Sequence, residues 1–87
     1  MIDELLDAVG VSDVSRVGEM VLLVMGGKSI AIENMLGLLT LDESMIVVKA
    51  SKHQKVIIEG EMLEVLSLTK NDISIRGRIL SVRYEKL

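Results

Sequence analysis

From Val56 to Val82 the chain repeats itself: Val56, Ile58, Gly60, Met62, Leu63 and Val65 recur seventeen positions later as Ile73, Ile75, Gly77, Ile79, Leu80 and Val82. Each copy reads apolar-x-apolar-x-Gly followed by more alternating chain. A period of two is the signature of a strand with one face buried, and it excludes an amphipathic helix over this third of the sequence. The glycine in each copy falls inside the alternation, so it marks a bend or bulge within a long strand. A weaker echo lies upstream, where Ile32, Asn34, Leu36 and Leu39 match Ile58, Gly60, Met62 and Val65. There Asn34 takes the glycine position, and Asn is the other residue that tolerates a left-handed backbone.

The same alternation extends toward the N-terminus. Val17 and the run Met20 to Met25 read as a first strand, and Gly26-Gly27 as a two-residue hairpin turn. Ser29 to Asn34 forms the return strand, interrupted before Gly37 and resuming over Leu38 to Leu41. Asp42-Glu43-Ser44 is a turn, Met45 to Ala50 a β-branched strand, and Ser51 to Lys55 a polar loop holding the sole histidine, His53. With no proline in the chain, glycine, Asn and Asp are left to make every turn, and Gly26, Gly27, Asn34, Gly37, Gly60 and Gly77 are singled out as turn or bend positions. Thr69-Lys70-Asn71-Asp72 is the clearest polar turn, and a hairpin about it sets Leu68 opposite Ile73 and Leu66 opposite Ile75 on one face. Before the alternation begins, Ile2, Leu5, Leu6 and Val9 fall at helical spacing, with Asp3 as a possible cap and Gly10 as a stop. Residues 2–9 are therefore expected to form a short amphipathic helix and residues 16–87 a β domain, within one domain spanning 1–87.

The predicted fold is mostly β: an antiparallel meander of about seven or eight short strands, closed into a small roll or sandwich. The alternative is a short β-solenoid, in which the seventeen-residue unit is one coil. Parallel stacking would then set Glu59 beside Arg76 and Glu61 beside Arg78, a complementary arrangement.

Several function classes are disfavoured by composition. The net charge is −3 and Tyr84 is the single aromatic residue, so neither the basic face nor the stacking platform of a nucleic-acid binder is present. Without cysteine there is no disulfide, thiolate metal site or thiol nucleophile. The longest apolar runs are too short to span a bilayer as a helix, and the acidic start does not resemble a signal peptide, so a cytoplasmic location without direct membrane insertion is expected. Gly27-Lys28-Ser29 ends like a phosphate-binding loop, but Leu22 stands where that motif needs glycine, and a strand follows instead of a helix. His53 has no second histidine or cysteine with which to hold zinc. Asp3, Glu4, Asp7 and Asp13 lack the glycine-bearing pattern of a calcium loop and read as a solvated face. Arg76, Arg78 and Arg83 lie near Glu59, Glu61, Glu64 and Glu85 and read as cross-strand ion pairs. No nucleophile, base and orienting group can be named together, so no enzyme, cofactor or metal is predicted. The apolar fraction, 49% with a mean hydropathy of +0.46, exceeds what so small a domain can bury, which points to a homo-oligomer. A small-ligand or regulatory domain with an apolar pocket is the alternative.

The order of these elements also resembles a known family. Ile32-Glu33-Asn34 is followed by Gly37-Leu38-Leu39, a strand at Ile46 to Val48, Ile58-Glu59-Gly60-Glu61-Met62-Leu63, and a final stretch from Ile73-Ser74-Ile75-Arg76-Gly77 to Tyr84. From Val21 to Tyr84 this series is similar to the YabP/YqfC family of sporulation proteins of Firmicutes, closer to its YqfC branch. It departs from that family in lacking proline and in its acidic N-terminus. The resemblance implies a non-enzymatic protein of the mother cell, active in spore envelope or coat development. It implies no catalytic residues, and it suggests a membrane-bound sporulation protein as a partner.

Overall fold

The computed structural model describes residues 4–6 and 12–87, with side chains from Ser15 onward. Eight strands make up its regular structure: β1 (Glu4–Leu6), β2 (Ser12–Val17), β3 (Met20–Met25), β4 (Ser29–Glu33), β5 (Gly37–Leu41), β6 (Met45–Ser51), β7 (Gln54–Leu68) and β8 (Ile73–Lys86). All pairings are antiparallel, in the order β2-β3-β4-β8-β7-β6-β5, with β1 added on β8. The domain is therefore mostly β, as the alternation requires. The antiparallel ladders rule out the solenoid alternative. Glu61 does lie opposite Arg78, but because a hairpin brings them there, and Arg76 lies opposite Glu64 instead of beside Glu59.

The fold turns on the long hairpin of β7 and β8. The first half of β7 lies between β6 and β8, and the first half of β8 between β4 and β7. Register shifts at Glu59/Gly60 and between Glu61 and Glu64 bend the hairpin midway. The two halves thus belong to two wings, one built on β2-β3-β4 and the other on β6-β5, and bulges supply the bend between them. The inward face alternates as the sequence dictates. Met20, Leu22 and Val24 of β3, Ile30 and Ile32 of β4, Ile46 and Val48 of β6, Val56 and Ile58 of β7, and Ile73, Ile75, Ile79, Val82 and Tyr84 of β8 share one core. One core drawn from both wings requires the sheet to fold over itself as a roll. Val47 and Ile57, register partners on β6 and β7, are buried outside that core.

The two glycines of the repeat play different parts in the bend. A Cβ on Gly60 would lie 2.2 Å from the Arg78 carbonyl oxygen and 2.9 Å from Leu63 Cδ2. Gly77 adopts φ +150°, and a Cβ there would meet the Met62 carbonyl oxygen at 2.8 Å. Both therefore allow the strands to cross closely at the bulge. Met62, at φ 54°, carries the left-handed turn of that bulge with its side chain in water.

Two expectations are corrected. The strand containing Val17 runs from Ser12, not from residue 16, and Val17 ends it: a turn through Gly18 (φ 59°) and Glu19 separates β2 from β3. Between Val65 and Ser67 the β7–β8 register shifts, so Val65, not Leu66, lies opposite Ile75; Leu66 is an extra residue and points to solvent. The helix expected over residues 2–9 lies largely outside the described residues; of that stretch Glu4–Leu6 is described, as a strand paired with β8.

Candidate functional site

The residues singled out from sequence are spread over the roll. Gly26 (φ 60°) and Gly27 (φ 69°) form the β3–β4 turn, closed by the Lys28 amide donating to the Met25 carbonyl at 3.1 Å. This turn packs on β8, where the Gly77 amide donates to Lys28 O and the Ile79 amide to Gly27 O, each at 3.0 Å. The shallow groove between them, about 450 Å³, is bordered by Lys28, Arg78 and Leu80. Gly27-Lys28-Ser29 is thus a hairpin turn leading into a strand. His53 is exposed in the β6–β7 turn, where its carbonyl accepts from the Leu87 amide at 2.9 Å. The acidic side chains of Asp3, Glu4, Asp7 and Asp13 lie outside the described residues. Among those described, no three His, Asp or Glu residues form a metal-holding group.

Arg76, Arg78 and Arg83 are each engaged in ion pairs. Arg76 pairs with Glu64, Arg78 with Glu61 at 3.1 Å, and Arg83 with Glu59 and, at 3.2 Å, with Glu85. Exposed pairs of this kind organise a surface more than they stabilise it.

Asn34 (φ 63°) turns the chain out of β4. Its side-chain amide donates to the Glu19 carbonyl at 3.2 Å, and its backbone amide donates to Asp72 Oδ1 at 3.2 Å. Asp72 also accepts from the Thr69 hydroxyl, fixing the β7–β8 turn. The next residue, Met35, is buried and donates to the Asn71 carbonyl at 2.8 Å, while the Asn71 side-chain amide donates back to the Met35 carbonyl. Gly37 then opens β5, with nothing within 4 Å of where its Cβ would lie.

These bonds place β5 alongside the second half of β7. At one end Met35 is pinned to Asn71; at the other the Leu63 amide donates to the Glu43 carbonyl at 2.8 Å. Both pins fit one antiparallel register, since Met35 to Glu43 and Leu63 to Asn71 span the same length of chain. Yet no ladder forms between β5 and β7. Their Cα traces stay more than 8 Å apart over almost this whole stretch. The roll is therefore held at both ends of a seam and open between them. Leu38 and Val65 form its floor, partly buried against the core. Leu36, Leu39 and Leu41 on one side, and Leu66 and Leu68 on the other, are 48–57% exposed. The middle of the seam carries no charge, since Met35 to Leu41 and Val65 to Thr69 are uncharged; Asp42, Glu43, Glu64 and Lys70 lie toward its ends.

The seam was not singled out from sequence, because it depends on strand order. Its local signal is visible in hindsight as two charge-free apolar runs in a chain where 26% of residues are charged. Compared with protein-family models, curated proteins and solved structures, the chain finds no match.

Proposed function

We propose that this protein is a non-enzymatic interaction module that assembles through an uncovered sheet edge, and that it serves in spore envelope or coat development. The observation that carries the assembly reading is the set of five half-exposed leucines along two neutral strand edges. Folded monomers usually blunt such edges with lysine, proline or inward charge, and a free edge is a template for strand addition. The sporulation role rests on the resemblance of Val21 to Tyr84 to the YabP/YqfC pattern, and with it come location in the mother cell and a membrane-bound sporulation protein as a second partner.

Two experiments test the two parts. Light scattering of the purified chain should give more than the monomer mass; a monomer at every concentration would refute the assembly reading. Deleting the coding sequence in its host should lower the yield of heat-resistant spores and leave vegetative growth unchanged. Normal spore yield would refute the sporulation role.

The groove between Gly26-Gly27-Lys28 and Arg78 favours a second reading, a small-ligand or regulatory domain. Lys28, with Arg78 where it is released from its pair with Glu61, would suit an anionic ligand, which would raise the melting temperature by mass action. A thermal-shift screen of anionic metabolites with no hit would remove it.

A further inference from the structure

The assembly reading leaves open which surface is covered and by what; resting on that reading, we propose that a second copy of this chain docks on the seam between β5 and β7, antiparallel about a two-fold axis, with β5 facing β5.

Four observations support this arrangement. Among the described residues β5 is the terminal strand of the sheet order, and the second half of β7 has a ladder with β8 on one side alone, so two edges open onto one seam. The area is of the right size. Five half-exposed leucines present on the order of 80 Å² each, or about 400 Å² per copy. That approximates the apolar share of a standard interface, roughly 800 Å² per partner and somewhat more than half apolar.

Charge fixes the orientation. Asp42 and Glu43, with Glu64 already paired to Arg76, stand at one end of the seam; Lys49, the register partner of Gly37, and Lys70 in the β7–β8 turn stand at the other. Asp72 at that second end is already engaged by Asn34 and Thr69. An antiparallel two-fold brings the acidic end of each copy to the basic end of its partner. With Leu39 on the axis, Asp42 falls opposite Leu36 and Glu43 opposite Met35, so no like charges face each other. A parallel arrangement would set acid against acid.

Closure is favoured over a growing fibre. The other terminal strand of the sheet order, β2, contains Asp13 and Arg16, the kind of residue that protects an edge, whereas β5 contains neither acid nor base. Head-to-tail pairing of β5 on β2 would set charged residues against leucines, while β5 on β5 is self-complementary. The register shift at Leu39 also limits how far a ladder could extend, leaving the leucine side chains as the main contact.

The test is sedimentation of the full chain from low to high micromolar concentration, with Leu39→Lys and Leu66→Lys at the seam and Leu80→Lys at the separate groove beside Gly27. The wild-type chain and Leu80→Lys should dimerise alike. Each seam variant should weaken the dimer by roughly 30-fold or more, the effect of losing a central anchor, with circular dichroism unchanged. Hydrogen exchange of the wild-type chain at high and low concentration covers the case of a seam variant that misfolds. Slower exchange at residues 38–41 on dimerisation is expected, and unchanged exchange there would refute the site. A wild-type monomer throughout refutes the assembly reading itself. A dimer broken by Leu80→Lys but not by the seam variants leaves assembly standing and refutes this surface. Mass that grows without limit refutes the two-fold.

Discussion

Gly60 and Gly37 both interrupt apolar strand sequence but stand in opposite situations in the fold, and replacing each by alanine separates close approach from mere chain flexibility. At Gly60 the new methyl would lie 2.2 Å from Arg78 O and 3.2 Å from Arg78 C. Ordinary carbon contacts begin near 3.5 Å, so β7 and β8 must part by on the order of 1 Å. The obstacle is main chain, which cannot swing away as a side-chain tip can. Overpacking of this kind costs about 1–3 kcal/mol. Weakening the neighbouring bond from the Gly60 amide to Ser44 O, 3.0 Å long, adds about 1 kcal/mol. A total of about 3 kcal/mol is a large part of the roughly 4–13 kcal/mol available to a chain of this size. At 4–8 °C per kcal/mol the melting temperature should fall by about 12–24 °C. At Gly37 a Cβ meets nothing within 4 Å and φ is outside the left-handed region, so alanine there should be neutral or stabilise by about 0.4–1 kcal/mol. Thermal unfolding followed by circular dichroism at 218 nm or a nearby wavelength, about the usual β minimum, reads both. If Gly60→Ala melts as high as Gly37→Ala, the close crossing of β7 and β8 is not what requires glycine, and the account of the bend is wrong.

Three further outcomes follow from single positions. Met62→Gly should raise the urea midpoint by the equivalent of about 0.5 kcal/mol, because φ 54° penalises methionine while its side chain, 84% exposed, contributes no burial; a loss above about 1 kcal/mol would show that the methionine has a contact role. Asn34→Ala should destabilise by about 1 kcal/mol more than Asn34→Gly, since both lose the amide bond to Glu19 but glycine alone accepts φ 63° freely; equal urea midpoints would contradict this. A double-mutant cycle on Glu61 and Arg78 should give a coupling of at most about 0.5 kcal/mol that fades in high salt, as both side chains are more than half exposed.

The parts of the fold that could be read in the sequence are those that depend on neighbours along the chain. Alternation over Met20–Met25, Ser29–Glu33, Met45–Ala50 and Ile73–Ile79 matches the side chains that face inward, and each of these stretches contributes alternate residues to the core. The β7–β8 turn was legible because Thr69-Lys70-Asn71-Asp72 can make its bonds locally, and Leu68 does lie opposite Ile73. One pair further on, the bulge at Leu66 breaks the register. Nothing in V-L-S-L marks it, because a bulge is decided by how β7 must bend to follow the roll. The β2–β3 turn was missed for a related reason: Gly18-Glu19 lies within an otherwise polar stretch where β2, with one aspartate and one arginine, shows no clear apolar face.

What is legible about an edge strand is subtler. A central strand announces itself by alternation, since it has a buried face and neighbours on both sides. β5 has the run Gly37-Leu38-Leu39-Thr40-Leu41, in which three leucines fall on both faces and only Leu38 joins the core. Read as a buried strand, this run is unremarkable; as the last strand of a sheet it is an exception, because an edge of a free monomer gains by carrying charge. The information lies in the mismatch between composition and position, and position is known only once β6 and β7 are seen to pair and leave β5 outermost. The same reasoning explains why 49% apolar residues can coexist with so small a core. Much of the surplus lies on two strands, with leucines 36, 39, 41, 66 and 68 where two strand ends are tied together and their middles are not, while Met25, Met62, Leu80 and Leu87 are exposed elsewhere. A seam already aligned at both ends needs no rearrangement of the roll to receive a partner, so covering it would add burial at little conformational cost.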